Sequence, residues 1–325
     1  MSLDSVAYPT PHFERALQPA RQHRRTALTP VRGEVQLVVN GRASGAASSD
    51  EVVAQATSAL RDAGARVRAL VTTGEEELAA AVRAAEDRRV VLVGGDGTVH
   101  ALANLDVPAL PPAALLPAGR ANNIARALGI PVDWRAAAEL AVRGRAAGVD
   151  VLEVVTPARR LFAVEGVSGG FHAAARHRYT GDNSADLTAG ARALVAELAV
   201  FRPHRVALRA DGAPVFEGPA AQVFLSNLPL FGFGFEVNPL GDPADGRLEA
   251  IVLEAATRRG VIRLLSAARH GTHLDREGVS STRATRAHLE VPIPLVADAQ
   301  PLGVTTATVT VAPGRLRLVA PESRL

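Results

Sequence analysis

The chain contains no cysteine, no lysine, few aromatic residues and no long apolar run. Without cysteine there are no disulfides, no thiolate catalysis and no cysteine-based metal centres. Without lysine, all 36 basic residues are arginines. Alanine is abundant alongside them, a bias typical of GC-rich coding, so a single arginine carries little functional weight. Aromatic residues make up 4%. Alanine, valine and leucine must therefore fill the core, which suits α/β packing. No uninterrupted apolar stretch approaches the roughly 20 residues that a membrane-spanning helix needs. The first thirty residues, Met1 to Pro30, are polar, contain several prolines and lack a signal-peptide core. The expectation is a cytoplasmic protein, in contact with membranes at their surface.

Its 325 residues, 47% of them hydrophobic, are enough for one large domain or two modest ones. The pI of about 10.3 overstates the charge, because 36 basic residues face 33 acidic ones. Nucleic-acid binding calls for a clustered basic face with interleaved aromatics. Here the arginines are scattered, apart from Arg21-Gln22-His23-Arg24-Arg25. That stretch reads as a solvated tail, or as a weak contact with anionic lipid headgroups.

Residues 1–32 read as a disordered leader. Val35–Val39 is a short apolar, β-branched stretch, hence a strand, and it ends in the turn-rich loop Asn40–Gly45. Asp50 caps a helical pattern that runs through Arg61 and closes near Gly64. Arg66–Thr72 reads as a strand and Glu75–Ala85 as a helix with acidic residues in its first turn. Val90–Val93 is a third strand, a helix starts at His100, and Ala113–Leu116 is a fourth strand. Pro117–Asn123 then leads into a helix over Ile124–Leu128. This alternation predicts a doubly wound parallel sheet over 33–148, with ligands at the carboxyl ends of its strands.

After about Gly148 the periodicity changes. Apolar runs recur at Val149–Val155, Arg160–Val167, Arg205–Arg209, Ala221–Asn227, Arg247–Leu253, His288–Ile293, Val304–Val311 and Arg315–Val319. Turns are expected at Asp211-Gly212, Asp245-Gly246 and Pro313-Gly314. Helical pieces interrupt the pattern at Ala185–Ala199 and Arg258–His270. The spacing predicts a mostly antiparallel β-sandwich domain over 149–312, with a segment over 313–325 returning to the first domain. A cleft would separate the two domains.

The stretch Val90-Val91-Leu92-Val93-Gly94-Gly95-Asp96-Gly97-Thr98 carries the clearest chemistry. Glycines let the backbone approach a phosphate, consecutive turn amides make an anion-binding concavity, and the following helix presents its N-terminus. Asp96 would repel phosphate unless a divalent cation stands between them, so the motif points to phosphate together with magnesium.

This stretch resembles the nucleotide-binding signature of the diacylglycerol-kinase catalytic family, which includes soluble bacterial lipid kinases and sphingosine kinases. Further segments match in the same order. Asn40–Gly45 is similar to the family's first loop, with one extra residue and no proline. Val71-Thr72-Thr73 resembles the end of its second strand. Leu116–Pro131, with Gly119-Arg120-Ala121-Asn122-Asn123 inside it, resembles the Pro-x-Gly-Thr-x-Asn-Asp segment. Ser226-Asn227 with Phe231–Gly234 resembles a glycine-rich region, and Asp242–Leu248 resembles the Asp-Gly-x-Leu loop.

The resemblance implies an NAD-kinase/diacylglycerol-kinase-like fold, ATP and Mg2+ as cofactors, and a lipid alcohol as substrate at a membrane surface. The implied nucleotide contacts fall on Asn40, Ser44, Gly45, Thr72, Gly94, Gly95, Asp96, Gly97, Thr98, Val99, His100, Ala101, Arg120, Asn122, Asn123 and Gln300. A structural magnesium would meet Asp242, Asp245 and Arg247, the first and last through main-chain oxygens. Asp298, in Ala297-Asp298-Ala299-Gln300, matches the family's catalytic base, with Asp96 organising magnesium. His100 alone reads as a capping histidine and His172 as structural. Arg120 stands where threonine is usual, Asn123 where aspartate is, and Gln300 where glutamate is, while Ala101 follows His100 in place of Asn-Glu. Three readings follow: an ATP-dependent lipid kinase; a degenerate relative that binds nucleotide or lipid with little turnover; and an NAD-kinase-like enzyme, which shares the Gly-Gly-Asp-Gly-Thr turn.

Overall fold

The computed structural model describes residues 33–41, 48–86, 88–107, 109–178, 187–298 and 300–322. The 1–32 leader, Ser44 and Gly45 lie outside the described residues.

The first domain opens with β1 (Glu34–Asn40), α1 (Ser49–Asp62), β2 (Arg66–Thr72), α2 (Glu75–Arg83) and β3 (Val90–Gly94). It continues with α3 (Asp96–Ala103), β4 (Ala113–Pro117), α4 (Asn123–Ala127) and α5 (Trp134–Arg143). The four strands are parallel, in the order β2-β1-β3-β4. The period of two sorts their apolar side chains onto two faces. Val38, Leu92 and Leu115 pack with Leu78, Leu102 and Ile124 on one side. Leu37, Val93 and Leu116 pack with Ala56, Leu60 and Ala138 on the other. Both faces are covered by helices, as a parallel sheet requires.

The first domain departs from the sequence expectations in three details. α1 is capped by Ser48, not Asp50: Ser48 and Glu51 form a reciprocal capping box in which the Ser48 side chain accepts the Glu51 amide. α3 begins at Asp96 rather than His100, so the glycine-rich turn itself forms the first helical turn. Gly94 ends β3 and Gly95 is the N-cap, so only Gly97 lies inside the helix, where tertiary packing overrides its poor helix propensity. The alanine-rich α5, capped by Asp133, is an additional helix that the patterning does not mark.

The second domain comprises β5 (Arg145–Val155), β6 (Arg160–Ala163), β7 (Gly166–Gly170), α6 (Phe171–Arg178), α7 (Leu187–Val200), β8 (His204–Ala210), β9 (Ala213–Ala220) and β10 (Gln222–Ser226). It ends with β11 (Leu248–Leu253), α8 (Arg258–Ala268), β12 (Val279–Ala284), β13 (Arg286–Glu290), β14 (Val296–Ala297), β15 (Gln300–Pro301) and β16 (Thr306–Ala320). One sheet is six-stranded, in the order β12-β11-β10-β7-β14-β15. The other continues the first domain's sheet through β16, β13, β8 and β9, making ten strands with β5 and β6. Leu152, Leu208, Leu225, Val252 and Val309 fill the space between the sheets. Phe171, Phe224, Phe231, Ile251 and Leu264 cover the outer face of the smaller sheet.

β16 pairs with β5 along its length and with β4 at Leu318↔Ala113. The turn expected at Pro313-Gly314 is instead a bulge within this single strand. Gly314, at φ +60°, sends its amide to Asp150 Oδ1 at 2.8 Å, which takes it out of the ladder. The run Arg160–Val167 is likewise not one strand. It breaks at Val164-Glu165, because their amides and that of Gly166 turn to the carboxylate of Asp298.

Candidate active site

The carboxyl ends of β1, β2, β3 and β4 place Asn40, Thr72, Gly94 and Pro117 along one edge. Asn40 Nδ2 donates to Thr98 Oγ1 at 3.0 Å, tying the first loop to the start of α3. Thr72 is buried and its carbonyl accepts the Gly41 amide. The loops after β3 and β4 touch backbone to backbone. A Cβ on Gly95 would lie 2.7 Å from Gly119 Cα, and one on Gly94 2.2 Å from Thr98 Oγ1. A Cβ on Gly97 would meet nothing, so there is open space beside the helix start. Asn122, in the left-handed region at φ +47°, closes the second loop by bonding both Gly119 N and Gly119 O. Arg120 is exposed at that loop's tip. Val99 packs fully in the first domain's core and Ala101 packs against it, so those two side chains face away from the loops.

Asp96 sits at the N-terminus of α3, where the helix dipole favours a carboxylate. Its Oδ1 accepts the Ile124 amide at 2.9 Å, which joins α3 to α4. Burial pushes its carboxyl above the usual range, against the amides of Ile124 and Asn123, and the charge of Asp298 pushes the same way.

Asp298 comes from the second domain, on the turn between β14 and β15, with φ +49°. Aspartate tolerates this left-handed conformation better than most residues. Its amide donates to Gly166 O at 2.8 Å. Its Oδ1 accepts the amides of Glu165 and Gly166, and its Oδ2 accepts that of Val164, all within 3.0 Å. Oδ2 also meets His100 Nδ1 at 2.6 Å. A carboxylate has about four acceptor positions, and all are engaged. Gly166 itself is packed tightly against β10, where a Cβ would lie 2.4 Å from Leu225 O.

His100 is therefore not a capping residue. It reaches from α3 of one domain to Asp298 of the other. Burial lowers its affinity for a proton, but the hydrogen bond and charge of Asp298, with Glu75, raise the net value above the ordinary histidine range. Asn104, one turn along, donates to the His100 carbonyl and to Phe162 O. His172 accords with its structural reading. It bonds Ser168 Oγ at 2.9 Å, stacks edge-on to Phe231, and burial with the nearby Arg176 holds it at about 4.

Glu165 went unmarked in the sequence, although a charged residue before glycine inside an apolar run was a visible signal. It is 6% exposed. Its Oε2 accepts Asn123 Nδ2 at 3.1 Å and the Gly232 amide at 3.0 Å. Burial, reinforced by the charges of Asp96 and Asp298, holds its carboxyl well above the usual range. Asn123 Oδ1 is buried without a hydrogen-bond partner. Gln300 is exposed, two residues beyond Asp298.

Asp96, Asp298 and the buried Glu165 thus interact as an acidic group, with His100 paired to Asp298. Among the described residues no three ligands form a ready metal cage. Magnesium that arrives with phosphates needs only one or two carboxylates from the protein. Asp96, beside amide-rich loops, fits that role, and the orphan Asn123 oxygen suits a coordinated water.

The loop Asp242–Arg247 is different. Asp245 Oδ1 accepts the Arg247 amide at 2.8 Å, and its Oδ2 pairs with the Arg283 guanidinium. These residues do not fit a structural magnesium, because a cation already holds the carboxylate.

Comparison with known proteins agrees with this arrangement. Residues 34–154 match the diacylglycerol kinase catalytic domain. Residues 166–320 match the YegS C-terminal NAD kinase beta sandwich-like domain. A probable lipid kinase YegS-like protein of Pseudomonas fluorescens is 31% identical over 84% of this chain and 92% of its own length. A diacylglycerol kinase of Mycobacterium tuberculosis is 28% identical over 75% of this chain and 80% of its own. A crystal structure of a diacylglycerol kinase from Bacillus anthracis superposes with a TM-score of 0.65 at 17% identity, covering 90% of this chain and 98% of that one. With both halves of its length matched in order, the chain belongs to the diacylglycerol kinase and YegS-like lipid kinase family.

Proposed function

We propose that the chain transfers the γ-phosphoryl group of ATP to the hydroxyl of a diacylglycerol-like or sphingoid lipid. The observation that carries this reading is the meeting of Asp298, on the second domain, with His100, one turn into the helix that begins at Asp96. That contact brings the Gly94–Thr98 turn, which would bind phosphate, close to the side chain that would accept the proton. Phosphoryl transfer asks chiefly for positioning and charge stabilisation. The amides of the Gly94–Thr98 turn would receive phosphate oxygens, Asp96 would hold magnesium, and magnesium would neutralise charge on the phosphates. Asn40, Thr72 and Asn122 brace these loops, and Arg120 at the loop tip would contact a phosphate. Asp298 would take the hydroxyl proton while His100 and the three amides hold it in place.

A binding-only relative is favoured by one specific observation: all four acceptor positions of Asp298 are already engaged. One assay separates the readings. Purified protein is incubated with radiolabelled ATP, magnesium and vesicles of diacylglycerols or sphingoid bases, with NAD as a control acceptor. Labelled lipid is the expected product. ATP binding with no labelled product from any lipid would favour the binding-only reading, and labelled NADP would replace the lipid by a dinucleotide.

A further inference from the structure

The loop that precedes β11 is complete without a metal. Asp242 Oδ1 accepts the Ala244 amide at 3.0 Å, and its carbonyl accepts that of Asp245 at 3.4 Å. Asp245 Oδ1 accepts the Arg247 amide. Gly246, at φ +71°, sends its amide to Asp150 Oδ2 at 2.7 Å, while the Asp150 amide donates to Pro243 O at 2.7 Å. The loop is thus strapped to β5 through one amide of its own, Gly246, and one carbonyl, Pro243.

One strong charge requirement is left over. The side chains of Asp245 and Glu249 are only 6% and 5% exposed. A buried carboxylate is paired with a counter-charge or takes up a proton; burial raises both carboxyls here, that of Glu249 to about 7, against the opposing pull of Arg283. β12 lies antiparallel to β11 with Arg283 directly opposite Glu249. From there its guanidinium reaches Asp245 Oδ2, and its Nε lies 3.0 Å from Glu249 Oε1. The ladder fixes the position of the arginine, and its planar fork can face two carboxylates at once.

We propose that Arg283 is a built-in cation at this loop, occupying the place in which the family resemblance puts a structural magnesium. The fold then needs no metal ion of its own, and the magnesium that matters is the ion that accompanies the nucleotide. The inference rests on the loop and strand geometry and holds whether or not the chain turns over a lipid.

Thermal unfolding of the full chain without nucleotide tests it, in EDTA and across a magnesium chloride titration. The wild-type midpoint is expected to be indifferent to magnesium. Arg283→Gln is expected to melt lower in EDTA and to recover saturably with magnesium, and adding Asp245→Asn should abolish the recovery. Arg283→Lys, which keeps the charge, should stay folded and indifferent even if the glutamine variant does not fold. A wild-type midpoint that rises saturably with magnesium, and loses that rise in Asp245→Asn, would overturn the proposal. So would an Arg283→Gln chain that melts like wild type in EDTA. A destabilised Arg283→Gln chain that ignores magnesium would show an ordinary ion pair and would also overturn it.

Discussion

At Asp298 a single side chain gathers the geometry of both domains. It accepts three main-chain amides from 164–166 and pairs with His100 of the first domain. If it is the proton acceptor, Asp298→Asn should lower kcat by about 10²-fold or more. Nucleotide affinity, measured by calorimetry, should barely change. A variant with wild-type kcat would remove Asp298 from the chemistry. Its partner His100 makes a second, pH-dependent prediction. Its folded pKa lies above its ordinary value of 6.5. The stability it contributes is therefore full below pH 6.5 and lost as pH rises through the folded value. Denaturant midpoints followed upward from about pH 6 should fall more steeply in the wild type than in His100→Asn. Equal slopes would contradict the ion pair. His172 works in the opposite direction. Held at about 4, it should weaken the fold as pH drops from 6.5 towards that value.

Among the elements, the loops after β3 and β4 are the least tolerant. Gly95→Ala would bring a Cβ to 2.7 Å from Gly119 Cα, a backbone atom that cannot swing aside. The two loops must separate, at a cost of about 1–3 kcal/mol typical of overpacking. If that cost falls on the binding conformation, nucleotide titration should show a loss of affinity of roughly 5- to 150-fold. Gly97→Ala, whose Cβ meets nothing, should leave the melting temperature nearly unchanged and serves as the control. The first-domain strands were legible because each is a short apolar run that ends at a turn. The break between β6 and β7 was not, since Val164, Glu165 and Gly166 leave the ladder for an acceptor more than 130 residues away. The length of β16 was hidden for a related reason. Pro313-Gly314 has turn chemistry, and only pairing with β5 converts it into a bulge.

On the scale of the whole molecule, β16 fastens the second domain to the first. It pairs with β4 through Leu318, and Leu316 and Leu318 join the first domain's core cluster. Truncation after Ala312 would strip out Leu316, Leu318 and Val319, each at most 1% exposed. At roughly 1.5–3 kcal/mol for each buried side chain, the loss approaches the roughly 5–15 kcal/mol stability of a typical domain. The truncated chain should therefore show no cooperative thermal transition. A sharp transition near the wild-type midpoint would refute the strap. No described helix is long and apolar enough to cross a membrane.

The sequence alone determined the parallel α/β start, the β-rich second half and the Gly94–Thr98 turn. These depend on local periodicity and on residues within a few positions of one another. It also placed Asp298 at the site, by family resemblance rather than by physics. Only the tertiary structure decided what Asp298 touches, that His100 is its partner, that Glu165 lies buried beside Asn123, and that Arg283 holds Asp245. Each of those contacts joins residues at least 38 positions apart, from Asp245–Arg283 to His100–Asp298. Strand pairing and burial choose such partners, and no pattern along the chain records them.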